Sequence, residues 1–141
     1  REPIDLKVYT NSLANFDVLA PGVPVTLIGG EYRSHRRDFC GYLSEITLEK
    51  VHFTRCFLGT DGYDGKKSFT TTDFDTARLD EIAMNNSDET IILCTSDKFL
   101  ACAQVKYAGF ELVSRVITDE GIPEESRRKL QASGIQIMVA K

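Results

Sequence analysis

Asp61 and Asp64 are the side chains in this sequence best placed by type and spacing to do chemistry. They lie in Gly59-Thr60-Asp61-Gly62-Tyr63-Asp64, where the apolar run Cys56-Phe57-Leu58 stops. Two carboxylates three residues apart could accept hydrogen bonds from the hydroxyls of one small polar ligand, or do acid–base work beside a reacting carbon. Asp and Gly are also favoured in turns whatever the function, so plain loop chemistry stands as an equal alternative. Lys98, in Ser96-Asp97-Lys98, could meet a ligand anion or merely a nearby aspartate. Asn11, in Thr10-Asn11-Ser12, could cap a helix or touch a ligand at the same edge. Arg33, Arg36 and Arg37 could attract a phosphate through bidentate guanidinium bonds, although a solvated loop is the simpler expectation. The two histidines, His35 and His52, lack metal-ligand spacing, and neither forms a defensible nucleophile–base pair. No metal and no cofactor is expected.

These side chains need a scaffold, and strand-like and helix-like segments alternate along the whole chain. Strands are expected over Leu6–Thr10, Pro24–Ile28, Cys56–Gly59, Thr90–Thr95, Leu112–Thr118 and Ile135–Val139. Short apolar runs bounded by turn signals are the reason. Helices are expected from Asn11 or Ser12 to about Ala20, and over Tyr42–Val51 with Leu43, Ile46 and Thr47 on one face. A third is expected from Thr72 to about Asn86, with Leu79, Ile82 and Ala83 forming a buried stripe. The last has the plainest signals. Pro123 suits a first helical position, Glu124 and Glu125 precede Arg127, Arg128 and Lys129 as the helix dipole favours, and Gly134 suits a left-handed cap. Gly29-Gly30 reads as a turn first and a close backbone approach second. Such alternation implies an α/β domain with a parallel sheet and helices on both faces. In open α/β sheets, ligands bind outside the carboxyl ends of the strands, which is where the Asp61 loop falls.

Bulk properties narrow the function. The chain has 141 residues and a net charge of −4, so one acidic domain is expected, not a segment that grips nucleic acid itself. No apolar run approaches a membrane span, and no signal peptide precedes the first strand; a cytoplasmic protein is expected. Cys40, Cys56, Cys94 and Cys102 include no Cys-x-x-Cys pair and are expected to be buried free thiols. No glycine-rich phosphate loop leads into a helix, so either another device binds a phosphorylated ligand or the sequence begins inside a longer domain.

Taken in order, VYTNS at 8–12, LIGGEYR at 27–33, CFLGTDGYD at 56–64, FTT at 69–71, SDKF at 96–99 and VITDEGI at 116–122 resemble the effector-sensing domain of the DeoR family of bacterial transcriptional regulators. The resemblance implies a Rossmann-like three-layer α/β sandwich, similar to the ribose-5-phosphate isomerase, glucosamine-6-phosphate deaminase and CoA-transferase fold. It implies a phosphorylated sugar or related metabolite as effector, operator DNA bound through an N-terminal winged helix outside this chain, control of carbohydrate-use genes, most often by repression, and a homo-oligomer. By position, Asn11, Asp61, Gly62, Asp64, Thr71 and Lys98 would bind the effector. The chain departs from the family pattern at Ser68, Thr76, Ile82 and Thr95. A glutamate is usual at position 76 and serves as general base in the related isomerases, so a non-catalytic sensor is expected. A sugar-phosphate isomerase or deaminase, and a ligand-free interaction domain, are the alternatives.

Overall fold

A computed structural model describes residues 5–141. The chain forms two compact units, the first ending at Lys50 and the second running Val51–Lys141.

In the first unit, β1 (Val8–Thr10) leads through α1 (Leu13–Leu19) to β2 (Val25–Leu27), which pairs parallel with β1. Ser12 caps α1, its hydroxyl accepting from the Asn15 N–H at 3.2 Å. The expected glycine turn and basic loop are instead a hairpin, β3 (Glu31–Arg33) against β4 (Asp38–Cys40). Gly30 serves a close approach: a Cβ there would lie 2.1 Å from the Ser44 hydroxyl. That hydroxyl donates to the Gly29 carbonyl at 2.6 Å and sets the buried face of α2 (Tyr42–Leu48). The face therefore carries Ser44, Glu45 and Leu48, while Leu43 and Thr47 are exposed and Ile46 is half-buried, contrary to the expected Leu43, Ile46 and Thr47.

In the second unit, β5 (Phe53–Leu58), α3 (Phe74–Asn85), β8 (Ser87–Leu93), β10 (Arg115–Asp119), α4 (Glu124–Ala132) and β11 (Gln136–Ala140) build an all-parallel sheet in the order β11-β10-β8-β5, flanked by helices. The α/β class and the parallel βαβ unit at the end of the chain hold. Ile92, Val116 and Leu130 are fully buried, with Leu79 and Ala83 of α3 beside them in the core; Ile82 is only half-buried. Asp73 caps α3 through the Thr76 N–H at 2.7 Å. Pro123 stands one position earlier than expected, in extended conformation at the N-cap of α4. Gly134 has φ 83°, and the N–H groups of Gly134 and Ile135 donate to Gln131 and Leu130, each at 3.0 Å. This paired closure satisfies carbonyls the helix leaves free, and it turns the chain directly into β11.

A second, antiparallel sheet is absent from the sequence-based expectations. It orders β6 (Gly62–Tyr63), β7 (Ser68–Thr71) and β9 (Val105–Gly109) as β6-β7-β9. Four aromatic rings hold it to the short helical turns Ser96–Leu100 and Phe110–Leu112: Tyr63 stacks on Phe110 at 5.7 Å, and Phe69 meets Phe99 edge-on at 6.0 Å. Leu112, expected to open a strand, lies in the second of these turns, and β10 begins at Arg115. All four cysteines are free, but only Cys40 and Cys56 are buried; Cys94 is half-buried and Cys102 is exposed. Burial pushes the Cys94 thiol up to about 11.

Candidate functional site

Because β5, β8 and β10 are parallel, the segments that follow them leave the sheet at one edge. After β5, the chain does not enter a free loop. The Tyr107 hydroxyl donates to the Gly59 carbonyl at 2.5 Å, and the Thr60 hydroxyl contacts the Gly62 and Thr70 carbonyls, each at 2.9 Å. Burial raises the Tyr107 hydroxyl well above its ordinary range, which keeps it a donor. Asp61 thus sits at the junction of the two sheets. One of its carboxylate oxygens accepts from the Thr71 hydroxyl at 2.9 Å and the Thr72 N–H at 3.0 Å. Gly62 lies so close to its neighbours that a Cβ would fall 2.6 Å from the Ala101 carbonyl oxygen. The Tyr63 N–H donates to that same oxygen at 2.8 Å, which brings the segment after Lys98 against β6. Asp61, Gly62 and Thr71 are therefore gathered together, with the turn that carries Lys98 packed alongside.

Asp64 is placed differently. Its contacts are with the turn that follows β6, whereas those of Asp61 are with the end of β7. The Asp64 side chain is 7% exposed, and one oxygen accepts the N–H groups of Lys66, Lys67 and Ser68 at 2.8, 3.0 and 3.1 Å. Lys106 approaches the other oxygen at 3.7 Å. Burial alone would raise this carboxyl, but the three N–H groups and Lys106 outweigh it and hold it below the ordinary carboxylate value. A depressed folded pKa means stability that is present above the unfolded value of about 3.9 and lost as pH falls through the folded value. Asp64→Asn should therefore cost about 1–2 kcal/mol near neutral pH, and its difference from wild type should shrink below about pH 4. Acid-unfolding curves of the two proteins check this; parallel curves would contradict it.

Lys98 is 38% exposed and stands 3.9 Å from Asp97, a loose contact that leaves its charge available to solvent. Asn11 belongs to the first unit, where its side-chain amide donates to the Phe39 carbonyl at 2.8 Å and ties β1 to β4. The basic cluster is not a solvated loop throughout: Arg33 grips Asp38 through bonds of 2.8 and 3.0 Å, both side chains largely buried, and Arg37 contacts Asp17 at 3.5 Å.

Three of the four departures from the family pattern have hydrogen-bond partners, and the fourth, Ile82, is half-buried. Thr76 donates both its N–H and its hydroxyl to Asp73, Ser68 donates its N–H to Asp64, and Thr95 donates its hydroxyl to Asp97. One further carboxylate at the edge is absent from the sequence-based candidates. Asp119 accepts from the Ser96 N–H at 2.8 Å and the Gly121 N–H at 2.9 Å, pinning the segments after β8 and β10 together. The Ser96 hydroxyl and N–H, with Gly121, hold its carboxyl below the ordinary value. The Asp-x-Gly spacing in VITDEGI is the signal for that turn. Among the described residues, no cluster of three His, Cys, Asp or Glu side chains could hold a metal ion, and no helix is long and apolar enough to cross a membrane.

The family model for the DeoR C-terminal sensor domain matches residues 1–120. A protein of Escherichia coli O157:H7 whose name ties it to the aga operon as a transcriptional repressor is 30% identical over 141 residues, covering 99% of this chain and 52% of the relative. The lactose phosphotransferase system repressor of Streptococcus mutans serotype c is 34% identical over 97 residues, covering 66% of this chain and 38% of the relative. The L-fucose operon activator of Haemophilus influenzae is 23% identical over 138 residues, covering 96% of this chain and 55% of the relative. The chain spans about half the length, or less, of these curated relatives.

Proposed function

The chain belongs to the DeoR family of transcriptional regulators as a C-terminal sensor domain, and we propose that its effector is a phosphorylated sugar or a related small metabolite. The observation that carries this reading is the gathering of Asp61, Gly62 and Thr71 beside the strand ends, with the Lys98 turn against them. Asp61 is a carboxylate already shaped to accept hydrogen bonds, so it takes ligand hydroxyls. Lys98 supplies positive charge toward the phosphate. Asp64 acts as a positioning residue that fixes the hairpin turn, and Asp119 does the same for the segments after β8 and β10. The names of the three relatives, which refer to the aga, lactose and fucose systems, favour a sugar-derived ligand. Those names include two repressors and one activator, so the reading is regulation, with repression the commoner sense. In the whole protein, located in the cytoplasm, operator DNA is bound through an N-terminal domain outside this chain, and a homo-oligomer is the working form.

The proposed sensor does not turn its ligand over. Position 76 carries Thr76 in place of the glutamate usual there, and the Asp73 carboxylate beside it is engaged by the Thr76 N–H and hydroxyl as the cap of α3. A panel of sugar phosphates tested by thermal unfolding should contain at least one stabilising compound. A ligand present at about 100 times its dissociation constant adds about 2.7 kcal/mol. Ribose 5-phosphate and glucosamine 6-phosphate should survive incubation unchanged. Their conversion would replace the sensor reading with an isomerase or deaminase, and a panel with no shift would leave a ligand-free interaction domain.

A further inference from the structure

The strand β11 forms one edge of the parallel sheet, and β10 is its one strand partner among the described residues. Its sequence, Gln136-Ile137-Met138-Val139-Ala140, holds no charge, no proline and no glycine. Sheet edges are normally blunted by such residues, by bulges or by a covering element, because a free row of N–H and C=O groups is a template for another strand. The five-residue pairing with β10 runs without a bulge.

The hydrogen-bonding sense of the strand is defined. Gln136 donates its N–H to Ser114 at 3.2 Å, toward β10. Alternation then turns the N–H and C=O of Met138 and Ala140 toward β10 and those of Ile137 and Val139 outward. We propose that this outward set pairs with the same set on a second copy of the chain, antiparallel about a two-fold axis at Met138. In that register, Ile137 exchanges both backbone bonds with the partner's Val139, and Val139 with the partner's Ile137. Met138 faces the partner's Met138 as a non-hydrogen-bonded pair, the closer of the two pair types. The arrangement is self-complementary, as an isologous dimer requires.

Two further features fit this occupant. Register places Leu93, Ile117 and Met138 in one row across the sheet, with Leu93 42% and Met138 53% exposed. A two-fold axis at Met138 continues that apolar row into the partner. The helix α4, packed on β11, carries Glu124 and Glu125 ahead of Arg127, Arg128 and Lys129. The two-fold sets α4 antiparallel to the partner's α4, so the acidic end of each helix runs toward the basic end of the other. The pairing would not depend on the effector.

Cysteine cross-linking reads the register directly. In the full chain, with exposed Cys102 replaced by serine, Met138→Cys should give a covalent dimer under oxidised glutathione. Directly opposed residues of a non-hydrogen-bonded pair lie about 4.5 Å apart at Cα, within disulfide reach. Gln136→Cys or Ala140→Cys alone should not cross-link, whereas a mixture of those two variants should. Separately, Met138→Lys sets like charges opposite one another and should weaken the dimer about tenfold or more in sedimentation equilibrium, with the melting temperature of the dilute protein little changed. The proposal is overturned if Met138→Cys cross-links no better than its parent, if Gln136→Cys or Ala140→Cys cross-links as well alone, or if the full chain sediments as a monomer at high micromolar concentration.

Discussion

Truncation of Phe69 to alanine is expected to lower stability by about 3–5 kcal/mol, the range for removing a large aromatic side chain from a packed core. The side chain is 1% exposed and touches three other rings: Tyr63 at 5.9 Å, Phe99 at 6.0 Å and Phe110 at 5.8 Å. Its removal leaves a cavity where the antiparallel sheet meets the two short helical turns. For a protein of this size the loss corresponds to a fall in melting temperature on the order of 10–15 °C. The functional consequence follows from topology. Phe69 lies on β7, which pairs with the strand carrying Gly62 and ends at Thr71, so loosening it loosens the proposed effector site as well. A fall of under about 1 kcal/mol, measured by urea titration, would mean that the ring cluster is not what holds this sheet.

Asp61→Asn is expected to have the largest effect on ligand binding. The amide keeps one acceptor oxygen, so the bonds from the Thr71 hydroxyl and the Thr72 N–H can persist and stability should change by less than about 1 kcal/mol. The charge is lost, however. Hydrogen bonds to charged groups are worth about 1.5–3 kcal/mol, which corresponds to roughly 10- to 100-fold in affinity for a sugar hydroxyl donor. Thermal midpoints without ligand separate the two effects: a matched midpoint with a lost ligand shift marks a binding residue, and a lowered midpoint marks a merely structural one.

The parallel sheet and its helices were legible because their signals are local and strong. Thr90–Thr95 is an apolar run, and Pro123, Glu124, Glu125 and Gly134 mark the ends of α4 by their backbone chemistry. The antiparallel sheet was not legible. β6 has two residues, Gly62 and Tyr63, between carboxylates and glycines that read as a loop, and it becomes a strand only because Thr70 and Ala101 supply its partners. Residues 105–109 drew no strand assignment because the alternation of buried Val105 and Tyr107 around exposed Lys106 is too short to stand out. The face of α2 differs from the expected one for a similar reason: Ser44 turns inward for the distant Gly29 carbonyl, which no periodicity reveals.

The candidate site divides along the same line. The residue types Asp61, Thr71 and Lys98 were visible in sequence, whereas the division of labour between the two aspartates was not. Asp64 is spent on three backbone N–H groups of its own turn, a pattern set by the conformation of residues 65–68. The role of Asp119 is not legible in sequence, because its partner Ser96 lies on another strand end.

The most direct measurement is a calorimetric titration of the full chain, and of its Asp61→Asn variant, with a phosphorylated sugar drawn from the stabilising compounds and with the same sugar lacking its phosphate. Saturable binding of the phosphorylated form is expected, together with weaker binding of the bare sugar and a loss of roughly 10-fold or more in the variant. Equal affinity for both sugars, or full affinity in Asp61→Asn, would contradict a phosphorylated effector held by Asp61 at the edge of the sheet.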